Sequence, residues 1–225
     1  LSADRLAPLM GNAGIRMAVF PHLYKDGEVI PEEGFDTKNY NDVPLLLVTG
    51  TSEFSLFTAF DKRFAASVSD GSLFKDENLL KEFTYAETYG SQLYRLSNTV
   101  ESARIMTEHY TSPIYISQIS FGDDGTSAPT VAGLLGAFHV VFEPLLQTPS
   151  NYATFIGEDF ESAGAKELSK DFKAYLKQCV TTGYPNGDDL PKWEAWTASN
   201  QEVLSMDADL EQAKIEMSSD KETAE

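Results

Sequence analysis

Cysteine is nearly missing from this chain: Cys179 stands alone among 225 residues. One thiol closes no internal disulfide, so the core must hold the fold without the cross-links of small secreted domains. No Asn-x-Ser/Thr acceptor occurs either. Together these lean toward a cytoplasmic setting and leave a secreted one open. Basic residues are scarce, 17 against 35 acidic ones, for a formal net charge of −18. They are scattered rather than striped, which excludes nucleic acid as a partner, because that affinity rests on clustered Lys and Arg. No apolar run approaches the roughly 20 residues of a membrane-crossing helix, so no membrane span is expected. The start, Leu1-Ser2-Ala3-Asp4-Arg5, has no signal-peptide anatomy.

What is present suits a globular α/β protein. Apolar residues make up 42% of the chain, enough for one domain with a substantial core. The run Val43-Pro44-Leu45-Leu46-Leu47-Val48 ends at Thr49-Gly50 and reads as a strand buried on both faces. Pro113 to Phe121, rich in β-branched and aromatic residues, is a second strand. Two weaker strands are expected beside them, with Glu202 to Met206 among the closing segments.

Helical spacing covers Lys75 to Tyr110, with a break at Ser97-Asn98-Thr99 and Thr99 as N-cap of the second piece. A shorter helix starts directly after Glu53, another covers residues 1–11, and an amphipathic one runs from Lys166 to Val180 until Gly183 and Pro185 stop it. Strands alternating with helices give an α/β class. A single domain over 1–217 and a polar, disordered tail over 218–225 are expected.

Two residues carry the chemistry. Glu53, in Gly50-Thr51-Ser52-Glu53-Phe54, and His139, in Gly136-Ala137-Phe138-His139, each follow a strand-like segment, 86 residues apart. The order acid-then-histidine is the tail of the Ser…Asp/Glu…His order of α/β-hydrolases. The Gly-x-Ser-x-Gly elbow that should precede it occurs nowhere in the chain.

In family order, the chain resembles the C-terminal portion of type-B carboxylesterases, the family of cholinesterases, para-nitrobenzyl esterases and fungal lipases. The matching pieces are Asp26-Gly27 with Ile30-Pro31, then Pro44 through Phe57, then Tyr115 to Phe121. Gly136-Ala137-Phe138-His139 with Glu143-Pro144 follows, and Gly183-Tyr184-Pro185-Asn186 with Trp193 closes the series. Two departures stand out. Phe54 sits where the family usually has a glycine after the acid, and Val140 follows the histidine where a small residue is usual.

The resemblance implies the C-terminal part of an α/β-hydrolase fold, a mostly parallel sheet flanked by helices and incomplete without an N-terminal segment. It implies a serine esterase with a Ser-His-Glu triad, to which this chain gives His139 as general acid–base and Glu53 as its orienting carboxylate. The partner would be the N-terminal portion of the same enzyme, carrying the nucleophile and the oxyanion hole. The substrate would be a small ester, with no cofactor and no metal. A cholinesterase-like binding module that has lost catalysis is the alternative.

Other residues read as structural. Glu161-Ser162-Ala163-Gly164 copies four letters of the family's elbow, but Phe160 replaces its first glycine and no strand precedes it. Ser162 is therefore expected in a loop before a helix. His22 and His109 have no partner pattern, and His109 is expected to face a helix C-terminus. Cys179 falls on an apolar helix face. Asp123-Asp124-Gly125 lacks the further ligands of a calcium loop.

Overall fold

The computed structural model describes Arg5 and residues 24–122, 131–147 and 156–219. The expected helix over 1–11 (Arg5 aside), His22, the loop from Asp123 to Pro129 and the end of the tail lie outside the described residues. Strand β1 is Leu45–Gly50, followed by helices α1, Ser55–Phe60, and α2, Ala65–Ser69. Helix α3, Glu77–Arg95, is capped by Asp76, whose carboxylate accepts from the amides of Asn78 and Leu79. Such a cap satisfies donors that no earlier turn can reach.

No break separates the next two helical pieces. A π-helical turn, Leu96–Val100, carries α3 straight into α4, Glu101–Met106. Thr99 is not an N-cap; its hydroxyl donates to the Arg95 carbonyl inside this turn. Polar Ser97-Asn98-Thr99 mimics a boundary, but the Ser97 and Thr99 hydroxyls donate to carbonyls of the preceding turn instead. Strand β2, Ile114–Ile119, follows, then short helices α5, Val131–Leu135, and α6, Phe142–Leu146.

Helix α7, Ala163–Thr182, opens on Ser162, whose Oγ accepts from the Ala165 amide at 3.0 Å, and closes on Gly183 at φ +83°. Ser162 is thus a cap, as its rejection as a nucleophile requires. Strand β3, Val203–Ala208, and strand β4, Ala213–Ser218, complete the described chain. Ser218, expected in the loose tail, belongs to β4 with Met217, because pairing to β3 supplies its order.

The sheet order is β1-β2-β3-β4, parallel across β1, β2 and β3 and antiparallel at β4. Strand β2 is almost wholly buried. Strand β1 is half-buried rather than buried on both faces, since among the described residues it forms the sheet edge. Along β2, Tyr115 and Ile119 join one core with Leu204, Met206, Leu168, Phe172 and Trp193. Ile114 and Ile116 join a smaller one with Ala103, Trp196 and Val203. Apolar side chains alternate between two covered faces, which is how a layered α/β core arises.

The Asn186 and Trp193 pair shows what its segment is for. Asn186 accepts from the Trp193 amide at 2.7 Å and donates to its carbonyl at 2.9 Å. Trp193, fully buried, donates its indole N–H to the Ile116 carbonyl at 3.0 Å, so its polar edge is satisfied inside the core. Helix α7 approaches the β3–β4 turn so closely that a Cβ on Gly164 would lie 2.0 Å from the Asp209 carbonyl oxygen.

Candidate active site

Parallel strands β1 and β2 end side by side, and the chain leaves β1 in a tight turn. Thr51 donates its amide to the Ile119 carbonyl at 2.9 Å, and Ser52 donates to the Ala137 carbonyl at 3.1 Å. The second bond pins the segment before the histidine to the turn carrying the acid. Gly50 makes this approach possible, for a Cβ there would stand 2.2 Å from the Ala137 oxygen. The hydroxyl of Ser55, buried at the start of α1, donates to the Leu135 carbonyl at 2.6 Å and ties the two segments again.

These ties bring Glu53 and His139 together. Nδ1 of His139 lies 2.6 Å from Oε2 of Glu53. The other carboxylate oxygen accepts from the Gly50 amide at 2.6 Å and from the Thr49 hydroxyl at 3.0 Å. Glu53 is 5% exposed, whereas the His139 side chain is 33% exposed. A buried carboxylate is tolerable only with such donors, and here three groups surround it. With the proton on Nδ1 facing Glu53, the lone pair of the ring sits on Nε2, the nitrogen available to take a proton.

Aromatic rings frame the imidazole. Phe57 of α1 lies 5.1 Å from it between ring centroids, and Tyr94 of α3 meets it edge-on at 5.7 Å. The Tyr94 hydroxyl is pushed above its ordinary range, first by burial and then by the negative charge of Glu53, and so stays protonated. Phe57 closes the Pro44-to-Phe57 segment of the family resemblance, but nothing in the sequence points to Tyr94. Phe138 and Trp193, 1% exposed each, belong to the core.

The backbone after the histidine is unusual. Val140 has φ +67°, a left-handed conformation that β-branched side chains rarely adopt. A small residue is expected there for this reason: the turn after the histidine needs that backbone, and Val140 adopts it under strain.

The remaining candidates separate from this site. His109 pairs with Asp36, Nε2 to Oδ1 at 3.2 Å, and Glu108 completes a surface group whose ligand-type atoms lie within 4.8 Å of one another. The sequence hid this partner because Asp36 is 73 positions away. Cys179 is partly buried, and that burial raises its thiol pKa, the opposite of an activated nucleophile. Among the described residues no helix is long and apolar enough to cross a membrane.

With this geometry in view, a solved structure gives the fold its likeness. A PNB esterase superposes on 96% of this chain with a TM-score of 0.56 and 16% sequence identity. The fold is carboxylesterase-like. The chain spans 44% of the length of that esterase. No family model matches the chain, and no curated protein matches it.

Proposed function

We propose that this chain supplies the acid and the base of a serine carboxylesterase, Glu53 and His139, to a site completed by an N-terminal portion of the same enzyme. The observation that carries the proposal is the 2.6 Å contact between His139 Nδ1 and Glu53 Oε2 beyond the carboxyl ends of parallel strands. That is where open α/β sheets place their reactive groups. The likeness to a PNB esterase supports the same reading.

The serine comes from a Gly-x-Ser-x-Gly elbow in that N-terminal portion. Its Oγ attacks the ester carbonyl while His139 Nε2 takes the hydroxyl proton. Glu53 holds the Nδ1 proton and stabilises the imidazolium without being protonated itself. Collapse of the tetrahedral intermediate passes the proton to the leaving alcohol. Water then repeats the sequence on the acyl-serine, releasing acid and restoring the serine. No cofactor enters. Phe57 and Tyr94 flank the ring and keep bulk water from one side of it.

A short chromogenic ester tests this directly. The 225-residue chain alone should hardly hydrolyse it, since one oxyanion-hole donor is worth roughly 10²–10³ in turnover and the nucleophile is absent as well. Addition of the N-terminal portion should restore hydrolysis. Equal rates with and without that portion would defeat the shared site.

A further inference from the structure

Phe54 follows the acid where the family this chain resembles usually has a glycine, and helix α3 contains features that accommodate its ring. The Phe54 ring lies over Gly90: a Cβ built on Gly90 would sit 2.5 Å from Phe54 Cδ1 and 3.0 Å from Phe54 Cβ. A helix-interior glycine is less favourable than alanine, so its presence inside a 19-residue helix calls for a packing reason. Here the reason is the aromatic ring of the residue after the acid.

Polar contacts from the same helix face grip the turn at both ends. The Phe54 amide donates to Ser91 Oγ at 2.9 Å, and the Ser91 hydroxyl donates in turn to Glu87 Oε1 at 3.1 Å. On the other side of Glu53, the Arg95 guanidinium donates to the Thr51 carbonyl. Ser91 and Arg95 are 1% and 7% exposed, so these bonds form away from water, where losing one is costly. The π-helical turn begins at the next residue, Leu96, and such turns often mark places where a helix is locally re-aimed.

We infer that Ser91, together with Gly90 and Arg95, is a positioning residue for the Glu53–His139 pair, and that α3 sets the register of the acid turn in place of the glycine usual after the acid. None of the three touches the reacting atoms; each acts through the backbone of residues 51–54. Under the esterase reading, on which the catalytic half of this inference rests, a displaced turn lowers kcat and leaves KM alone, because the acid–base pair is misaligned while the ester pocket is intact.

The test uses the whole protein that carries this chain, labelled with ¹⁵N-histidine. The His139 Nδ1 proton, held in a short bond to Glu53, gives a strongly deshielded resonance. Ser91→Ala should move that resonance upfield and lower kcat about tenfold at constant KM. Gly90→Ala should do the same by pushing Phe54, and Phe54→Gly added to Gly90→Ala should restore both readouts. Thr181→Ala, exposed near the C-terminal end of α7, is the control and changes neither.

An unmoved resonance in folded Ser91→Ala and Gly90→Ala proteins overturns the inference. So does an additive double variant, which would mean that residues 54 and 90 act independently. If the resonance responds as described while no form hydrolyses esters, the positioning role stands and the esterase reading fails.

Discussion

His139 and Glu53, 86 positions apart, share a hydrogen bond of 2.6 Å in which the carboxylate is buried and the imidazole is partly open. The asymmetry has chemical meaning. One partner is fixed by the Gly50 amide and the Thr49 hydroxyl, while the other has a third of its side chain exposed.

The first prediction concerns that carboxylate. If the proposed esterase function holds, Glu53→Gln in the whole protein that carries this chain should lower kcat by roughly 10²–10⁴-fold with little change in KM, because an amide no longer enforces the Nδ1–H tautomer or stabilises the imidazolium. Steady-state kinetics on a short ester check it. A loss below threefold would place Glu53 outside the chemistry.

Val140 gives the second. Removing a half-buried valine side chain normally costs more in Val→Gly than in Val→Ala, because glycine also loses backbone entropy. At φ +67° the order should reverse, since glycine relieves a strain of order 1–3 kcal/mol that alanine keeps. Urea unfolding of Val140→Gly and Val140→Ala decides between the two, and a glycine variant the less stable of the pair would contradict the strain argument.

A third prediction addresses pH. Asp42 accepts from the Thr111 and Ser112 amides and from the Thr111 hydroxyl, joining the segment before β1 to the one before β2. Those hydrogen bonds, led by that from the Thr111 side chain, hold its carboxyl below the ordinary value of 3.8. A depressed folded value means the contribution is complete above pH 3.8 and fades as pH falls through the folded pKa. Asp42→Asn should therefore be less stable than the parent at neutral pH, with the gap narrowing in acid. A gap constant from pH 7 down to pH 2 would contradict it.

Ser162 supplies the fourth. As the N-cap of α7 it should matter for stability alone: Ser162→Ala should cost about 1 kcal/mol and leave ester hydrolysis unchanged. Loss of hydrolysis in a stably folded Ser162→Ala protein would revive it as a nucleophile.

Legibility in the sequence followed the range of the interactions. Strands β1 and β2, the long helix α7 and its Gly183 stop were readable because apolar periodicity and turn residues are local signals. The turns that hold Glu53 and His139 were readable, and the structure adds that the two side chains meet. Strand β4 was harder: Ala213-Lys214-Ile215-Glu216-Met217-Ser218 alternates, yet its order comes from pairing with β3. The π-turn was invisible, because its polar residues look like a boundary until the carbonyls they bond are in place. Tyr94, Ser91 and Gly90 were equally hidden, since a helix residue's meaning depends on what lies across from it, here a turn some 37 positions earlier.

The account comes down to whether His139 moves protons. Replacement of His139 by alanine in the whole protein that carries this chain, followed by ester hydrolysis at neutral pH, is the most direct test of the proposed function. The account predicts a fall of roughly 10⁴-fold or more in kcat with the fold intact, since a triad without its base keeps only binding and oxyanion stabilisation. Hydrolysis within tenfold of the parent would contradict it.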